Sequence, residues 1–168
     1  IETRDITLAQ PTKTGYSFDG WYENEGFTGS TITSIPVGST GGVSLYAKWT
    51  INQYSVSFNS QGGSTVDSVS TNYNTSIISP SAPTRTGYTF AGWYKEPACT
   101  NAWTFTTDTV IDDTILYAKW TVNNYSITYN LNGGINSVLN PSTYTVKIQG
   151  ITLAQSTKTG YAFAGWYD

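Results

Sequence analysis

Apolar and polar residues alternate with period two in several short stretches of this chain, each bounded by turn residues. Tyr54, Val56 and Phe58 alternate with Ser55, Ser57 and Asn59, and Tyr125, Ile127 and Tyr129 alternate with Ser126, Thr128 and Asn130. That period predicts strands with one core face and one wet face. Gln61-Gly62-Gly63 and Asn132-Gly133-Gly134 follow them and supply the positive-φ residues of a tight hairpin, leading into second strands over 66–73 and 138–146. Closing strands are predicted where Leu45, Ala47 and Trp49 alternate with Tyr46 and Lys48, and where Leu116, Ala118 and Trp120 alternate with Tyr117 and Lys119.

Between these lie Ile6 to Tyr16, Ser76 to Tyr88 and Gly150 to Tyr161, each an apolar opening, a few small polar residues and a glycine. The pattern predicts one short helix of a turn or two, with Gly15, Gly87 and Gly160 in the left-handed position that closes it. So short a helix must pack on a sheet to persist. In the strand that follows, Tyr88, Phe90, Gly92 and Tyr94 fall on one side and Thr89, Ala91 and Trp93 on the other. Glycine inside a strand marks a bulge, which lets Trp93 turn to the core despite the simple alternation. The stretches from Glu23 to Pro36 and from Lys95 to Val110 read as turns, with a strand at Ala102 to Phe105. The predicted order is strand, hairpin, strand, short helix, strand, variable loop and strand.

Three markers repeat at one period. Trp21, Trp93 and Trp166, each in a GYxFxGWY context, recur at steps of 72 and 73 residues; Leu-Tyr-Ala-Lys-Trp ends at Trp49 and Trp120; the Tyr-led strand starts at Tyr54 and Tyr125. The chain is therefore an array. Its predicted units are 1–49, the C-terminal part of a repeat; 50–120, a complete repeat; and 121–168, the N-terminal part of a repeat. A unit phase starting near Ile6 is the competing division. Only about four residues join a closing Trp to the next opening Tyr, which favours a rod over flexibly linked beads.

Composition narrows the partners. A net charge of −3 with 11% charged residues offers no basic patch, so nucleic acid is not an expected partner. No apolar run approaches the roughly 20 residues of a spanning helix, and no charged-then-apolar leader opens the sequence, so no membrane insertion is expected and any signal or anchor is expected outside it. Thirteen Tyr and six Trp against no Met favour half-buried sheets over a helical core. The single Cys99 excludes an intramolecular disulfide.

This order of elements, with the words YSVSF at Tyr54, Ala-Pro-Thr at Ala82 to Thr84, GYTFAGWY at Gly87 and LYAKW at Leu116, resembles the internalin B repeat family, also called the Listeria-Bacteroides repeat. The resemblance covers Tyr54 to Trp120 as a full copy and most of the remainder as partial copies. It implies a mainly β (α+β) fold of tandem small β-grasp-like repeats, each a curled sheet with one short helix. It also implies an extracellular or cell-surface setting in bacteria, where such units serve as stalks and interaction modules. The loops differ between copies in length and chemistry, so a binding role held by that loop in a relative does not transfer.

Catalytic chemistry is poorly supplied. With no His, Ser-His and Cys-His pairs and the usual zinc sites are excluded, and no cofactor or metal is expected. Asp112-Asp113 is the best local carboxylate pair and reads as a solvated turn; Glu23, Glu25 and Asp67 recur in no other copy. Cys99 reads as a small residue in a variable loop, or as a reactive thiol, with no nearby cation in sequence to lower its pKa. Lys48 and Lys119 occupy equivalent closing strands and are considered for a self-formed cross-link, but point outward. Asn74-Thr75-Ser76 and Asn124-Tyr125-Ser126 fit a glycosylation pattern expected by chance in so polar a chain.

Aromatics carry two readings. Trp21, Trp49, Trp93, Trp120 and Trp166 repeat with the unit and are assigned to its core. Trp103 lacks a Trp counterpart and is the candidate exposed contact, with packing over the sheet edge as the alternative. The functional expectation is a non-enzymatic repeat module, a stalk or spacer with an adhesion or protein-interaction surface for a host protein or glycan. A carbohydrate-binding module appended to an extracellular enzyme is the rival. Besides neighbouring repeats of the same chain, head-to-tail self-association is expected, because the front and tail pieces complement each other.

Overall fold

The computed structural model describes residues 4–167. Residues 1–3 of the predicted first unit and Asp168 of the last lie outside them. Among the described residues ten strands form: β1 (Ile6–Thr7), β2 (Tyr16–Tyr22), β3 (Ser34–Ile35), β4 (Tyr46–Ile51), β5 (Gln53–Asn59), β6 (Val69–Asn72), β7 (Tyr88–Tyr94), β8 (Thr114–Val122), β9 (Tyr125–Ser126) and β10 (Thr143–Tyr144).

The central unit is a four-stranded sheet in the order β6-β5-β8-β7. Its opening and closing strands lie side by side and parallel, Val56 opposite Thr114 and Phe58 opposite Leu116, while β6 and β7 flank them antiparallel. This non-local pairing lets β8 bring Leu116 and Ala118 onto Val56; together with Ile77, Trp93 and Val110 they form the buried core. Tyr54, Phe58, Phe90, Trp103 and Trp120 pack around it. The wet face carries Ser55, Asn59 and Lys119, as the alternation requires.

The predicted bulge is present. The β7–β8 register shifts between Phe90 and Trp93, and Gly92 adopts φ 115°. That extra residue turns Trp93 inward, where it is 3% exposed. In the first copy β2 pairs with β4 in the same way, with a shift between Phe18 and Gly20.

The helix is a correction. No helix occurs among the described residues, so the sheet grasps none and the β-grasp detail fails with it. Pro80 and Pro83 restrict the residues before them to extended conformations, and the segment's amides are used elsewhere. Ser64 donates its backbone N–H to the Thr84 carbonyl at 2.8 Å, and the Thr84 N–H donates to Ser64 Oγ at 3.0 Å. The third copy repeats this tie with reciprocal backbone bonds between Ile135 and Thr157. The glycine closes a four-residue turn instead: Tyr16, Tyr88 and Tyr161 each donate N–H to the carbonyl three residues back, on Lys13, Arg85 and Lys158. Gly15, Gly87 and Gly160 take φ 77°, 77° and 80° at the third turn position, as a type II turn demands.

The expected positive-φ turn residues are in place at Gln61 and Gly62 and at Asn132 and Gly133, with φ of 47°, 88°, 47° and 82°. Four further expectations shift. The opening strand of the third copy, expected over Tyr125 to Asn130, shortens to β9. The second strands shrink to β6 and β10. No strand forms at 102–105, where Ala102 makes only an isolated bridge to Tyr94, nor from Tyr161 onward in the third copy, which has no described counterpart of β8 to pair with.

Candidate functional site

The loop from Lys95 to Val110 lies between β7 and β8 and carries Trp103. The Trp103 backbone N–H donates to the Trp93 carbonyl at 2.8 Å, and the indole lies half-buried against the core. In the first copy, Ile32 donates to the Trp21 carbonyl at 2.8 Å and fills the same place. Lys95 Nζ lies 5.5 Å from the centre of the Trp103 ring and bonds Asp108 Oδ1 at 2.8 Å. Asp108 also accepts the Thr104 N–H at 2.7 Å. The Lys95 hydrogen bond first, and that amide second, hold the Asp108 carboxyl below its ordinary range. The Trp103 ring is thus half-buried beside the paired Lys95 cation, with its Nε1 buried and without a hydrogen-bond partner among the described residues.

Glu96 staples the start of the loop. Its Oε1 accepts the Thr100 hydroxyl, the Thr100 N–H at 2.8 Å and the Asn101 N–H at 2.7 Å. These bonds, the Thr100 hydroxyl foremost, hold its pKa at about 2. Asn24 does the same in the first copy, accepting from the Thr28 N–H and hydroxyl. Phe27 and Cys99 stand three residues later, at φ 50° and 51°. The two loops, which differ in composition, therefore share one framework. Cys99 holds the position equivalent to Phe27 but is buried where Phe27 is exposed, and Gln61 Nε2 reaches its sulfur at 3.2 Å.

Asp113, Lys119 and Lys48 make contacts within their own units. Asp113 Oδ1 accepts the Ser55 N–H at 2.8 Å, pinning the turn before β8 to β5. Lys119 Nζ donates to the Cys99 carbonyl at 3.2 Å and lies 4.7 Å from the Tyr94 ring, while Lys48 lies 5.5 Å from the equivalent Tyr22 ring. Among the described residues no group of three or more His, Cys, Asp or Glu gathers to hold a metal.

Each repeat-core Trp has a defined seat. Trp120 Nε1 donates to the Ser60 carbonyl at 2.8 Å. Trp21 and Trp166 donate to Ala9 and Ala154 at 3.1 and 3.2 Å. Trp93 Nε1 is buried without a hydrogen-bond partner among the described residues. Trp49 packs edge-on to Phe18 at 5.4 Å, as Trp120 does to Phe90 at 5.6 Å. An open cleft of about 640 Å³ in the third copy is lined by Tyr129, Phe163 and Trp166. In the central copy the counterparts of these rings are Phe58, Phe90 and Trp93, which pack with Leu116 and Ala118 of β8 in the core cluster.

A recurring cation was missed in the sequence. Lys13, Arg85 and Lys158 sit 3.9, 4.1 and 4.5 Å from the rings of Tyr16, Tyr88 and Tyr161. Arg85 and Lys158 also donate to the hairpin-turn carbonyls of Gln61 and Asn132, each at 2.9 Å. The Thr-Lys/Arg-Thr-Gly-Tyr word in all three copies held that signal.

Comparison with known proteins places this architecture. The chain is 42% identical over 161 residues, 94% of its length, to a protein of Evansella cellulosilytica whose name describes a membrane protein, and spans 23% of it. A second protein of that organism, named as a Gly-rich membrane protein, is 42% identical over 158 residues, 94% of this chain and 18% of its own length. Internalin H of Listeria monocytogenes is 38% identical over 120 residues, 68% of this chain and 20% of that protein. The chain thus spans about a fifth of the relatives it matches. No helix among the described residues is long and apolar enough to cross a membrane. The Listeria-Bacteroides repeat domain matches three times, at 2–48, 54–119 and 125–168, and the chain belongs to this repeat family.

Proposed function

We propose that the chain is a non-catalytic spacer of tandem repeats in a protein of the bacterial cell envelope. Its units hold other parts of that protein away from the cell, and their loop ends offer a surface for adhesion or protein contact. The observation that carries this reading is the way the copies join: β4 ends at Ile51 and β5 begins at Gln53, leaving Asn52 alone between two sheets. A one-residue connection limits relative motion of its neighbours, the property a spacer needs. Repeats that each contact only the next one build length without a large core, and loops on one end are free to vary. The relatives named as membrane proteins and as an internalin support the envelope setting.

Titration of the purified chain against a glycan array and a panel of polysaccharide and peptide substrates tests the proposal. The expected result is no turnover and no saturable sugar binding. Turnover, or saturable glycan binding abolished by Trp103→Ala, would overturn it, the latter in favour of a carbohydrate-binding module.

A further inference from the structure

The two junctions between copies are built alike, down to individual atoms. At the first, the Asn52 N–H donates to the Gly15 carbonyl at 2.9 Å, and Asn52 Oδ1 accepts the Ser17 hydroxyl at 2.7 Å. At the second, the Asn123 N–H donates to the Gly87 carbonyl at 2.9 Å, and Asn123 Oδ1 accepts the Thr89 hydroxyl at 2.7 Å. Glycine, the hydroxyl residue two positions on, and the junction asparagine thus form the same clasp twice.

The glycine is also a contact surface. A Cβ on Gly15 would stand 1.9 Å from Tyr73 Cδ1, and one on Gly87 would stand 2.0 Å from Val146 Cγ1. Tyr73 and Val146 are themselves equivalent, each following the second strand of the next copy by one or two residues. Both belong to the copy that follows, so the turn glycine of one unit receives a side chain of the next. At Gly160, with the same turn and φ 80°, nothing lies within 4 Å of such a Cβ. The left-handed φ alone therefore does not account for the close approach; the neighbour does.

We propose that the glycine face of each unit is a docking site for the next repeat, read by three features: a bare glycine against an apolar side chain, a glycine carbonyl against an asparagine amide, and a hydroxyl against the asparagine side chain. The partner it fits is another copy of this repeat entering through an Asn-led strand. Docking couples adjacent units, so each junction adds a nearest-neighbour term to the stability of the array. Ala162 stands where Ser17 and Thr89 stand, so the third copy's socket offers the glycine carbonyl without the hydroxyl. The inference rests on the spacer reading and says how the spacer is kept stiff.

Hydrogen exchange by NMR on the whole 168-residue chain tests it, with Gly87→Ala, Gly160→Ala and Thr89→Val as variants. In the parent, the Asn52 and Asn123 amides are expected to exchange at least 100-fold slower than free amides. Gly87→Ala is expected to speed exchange at Asn123 at least tenfold and leave Asn52 within twofold. Gly160→Ala, with the same backbone strain and no neighbour, is expected to leave both within twofold. Thr89→Val removes only the hydroxyl and is expected to speed Asn123 several-fold with the sheet intact, which keeps the test open if Gly87→Ala does not fold. Unprotected asparagine amides in the parent, or equal effects of the two glycine variants at Asn123, would overturn the clasp. Either result leaves the non-catalytic reading standing, whereas turnover by the chain ends that reading without changing amide protection.

Discussion

Replacing Trp93 by alanine perturbs the centre of the full repeat. Trp93 is 3% exposed and packs against Phe58 at 4.8 Å and Phe90 at 5.4 Å between ring centres. An indole burying about 150–250 Å², at about 25 cal/mol per Å², contributes at most about 4–6 kcal/mol. Extended-chain areas overstate this, and truncations of buried aromatics cost about 3–5 kcal/mol. The expected destabilisation is therefore about 3 kcal/mol, a large share of the 5 kcal/mol or so that a small domain has. Trp93→Phe keeps an apolar ring in the same seat and should recover at least half of it. Urea unfolding followed through the NMR signals of Val56 and Leu116, both fully buried, reports on the central copy by itself. A Trp93→Ala midpoint equal to the parent's would refute the packing argument.

Ser55→Ala, on the wet face, should change stability by less than about 0.5 kcal/mol in the same assay. Gly63→Ala would place a Cβ 2.4 Å from Trp120 Cζ2 and should cost about 1–3 kcal/mol by overpacking, read as a lowered urea midpoint. Trp103→Ala should lower the central copy's stability by about 1–3 kcal/mol, since the ring is half-buried; an unchanged midpoint would show a ring that serves only as a surface contact. The folded pKa of Glu96, about 2, lies below the ordinary 4.5, so its contribution is complete above pH 4.5 and is lost as pH falls towards 2. Glu96→Asn, borrowing the first copy's residue, should reduce the fall in urea midpoint across that window.

Periodicity was legible wherever one face is buried and the other wet. The opening strand at Tyr54, the closing strand at Leu116 and the bulge at Gly92 all follow from it. Local pattern failed where the segment was short and its polar groups had distant partners. Residues 76–86 carry helix-like punctuation, yet Thr84 is tied to Ser64, the residue after the hairpin turn, and two prolines keep the backbone extended. The parallel pairing of β5 with β8 was not readable, because period-two alternation says nothing about which strands meet. The loops differ in length and chemistry, although Asn24 with Thr28 and Glu96 with Thr100 share an i, i+4 spacing that builds one staple. Trp103 was singled out for lacking a Trp counterpart; its structural counterpart is Ile32, which only the shared backbone bond to the preceding Trp reveals.

A spacer requires successive repeats to be held in a fixed relation. Spin labels on Glu25→Cys and Val138→Cys, both exposed, in a Cys99→Ser background, measure it directly by electron double resonance. A single narrow distance distribution between the first and third copies is predicted. A broad distribution, from units that swing about Asn52 and Asn123, would contradict it.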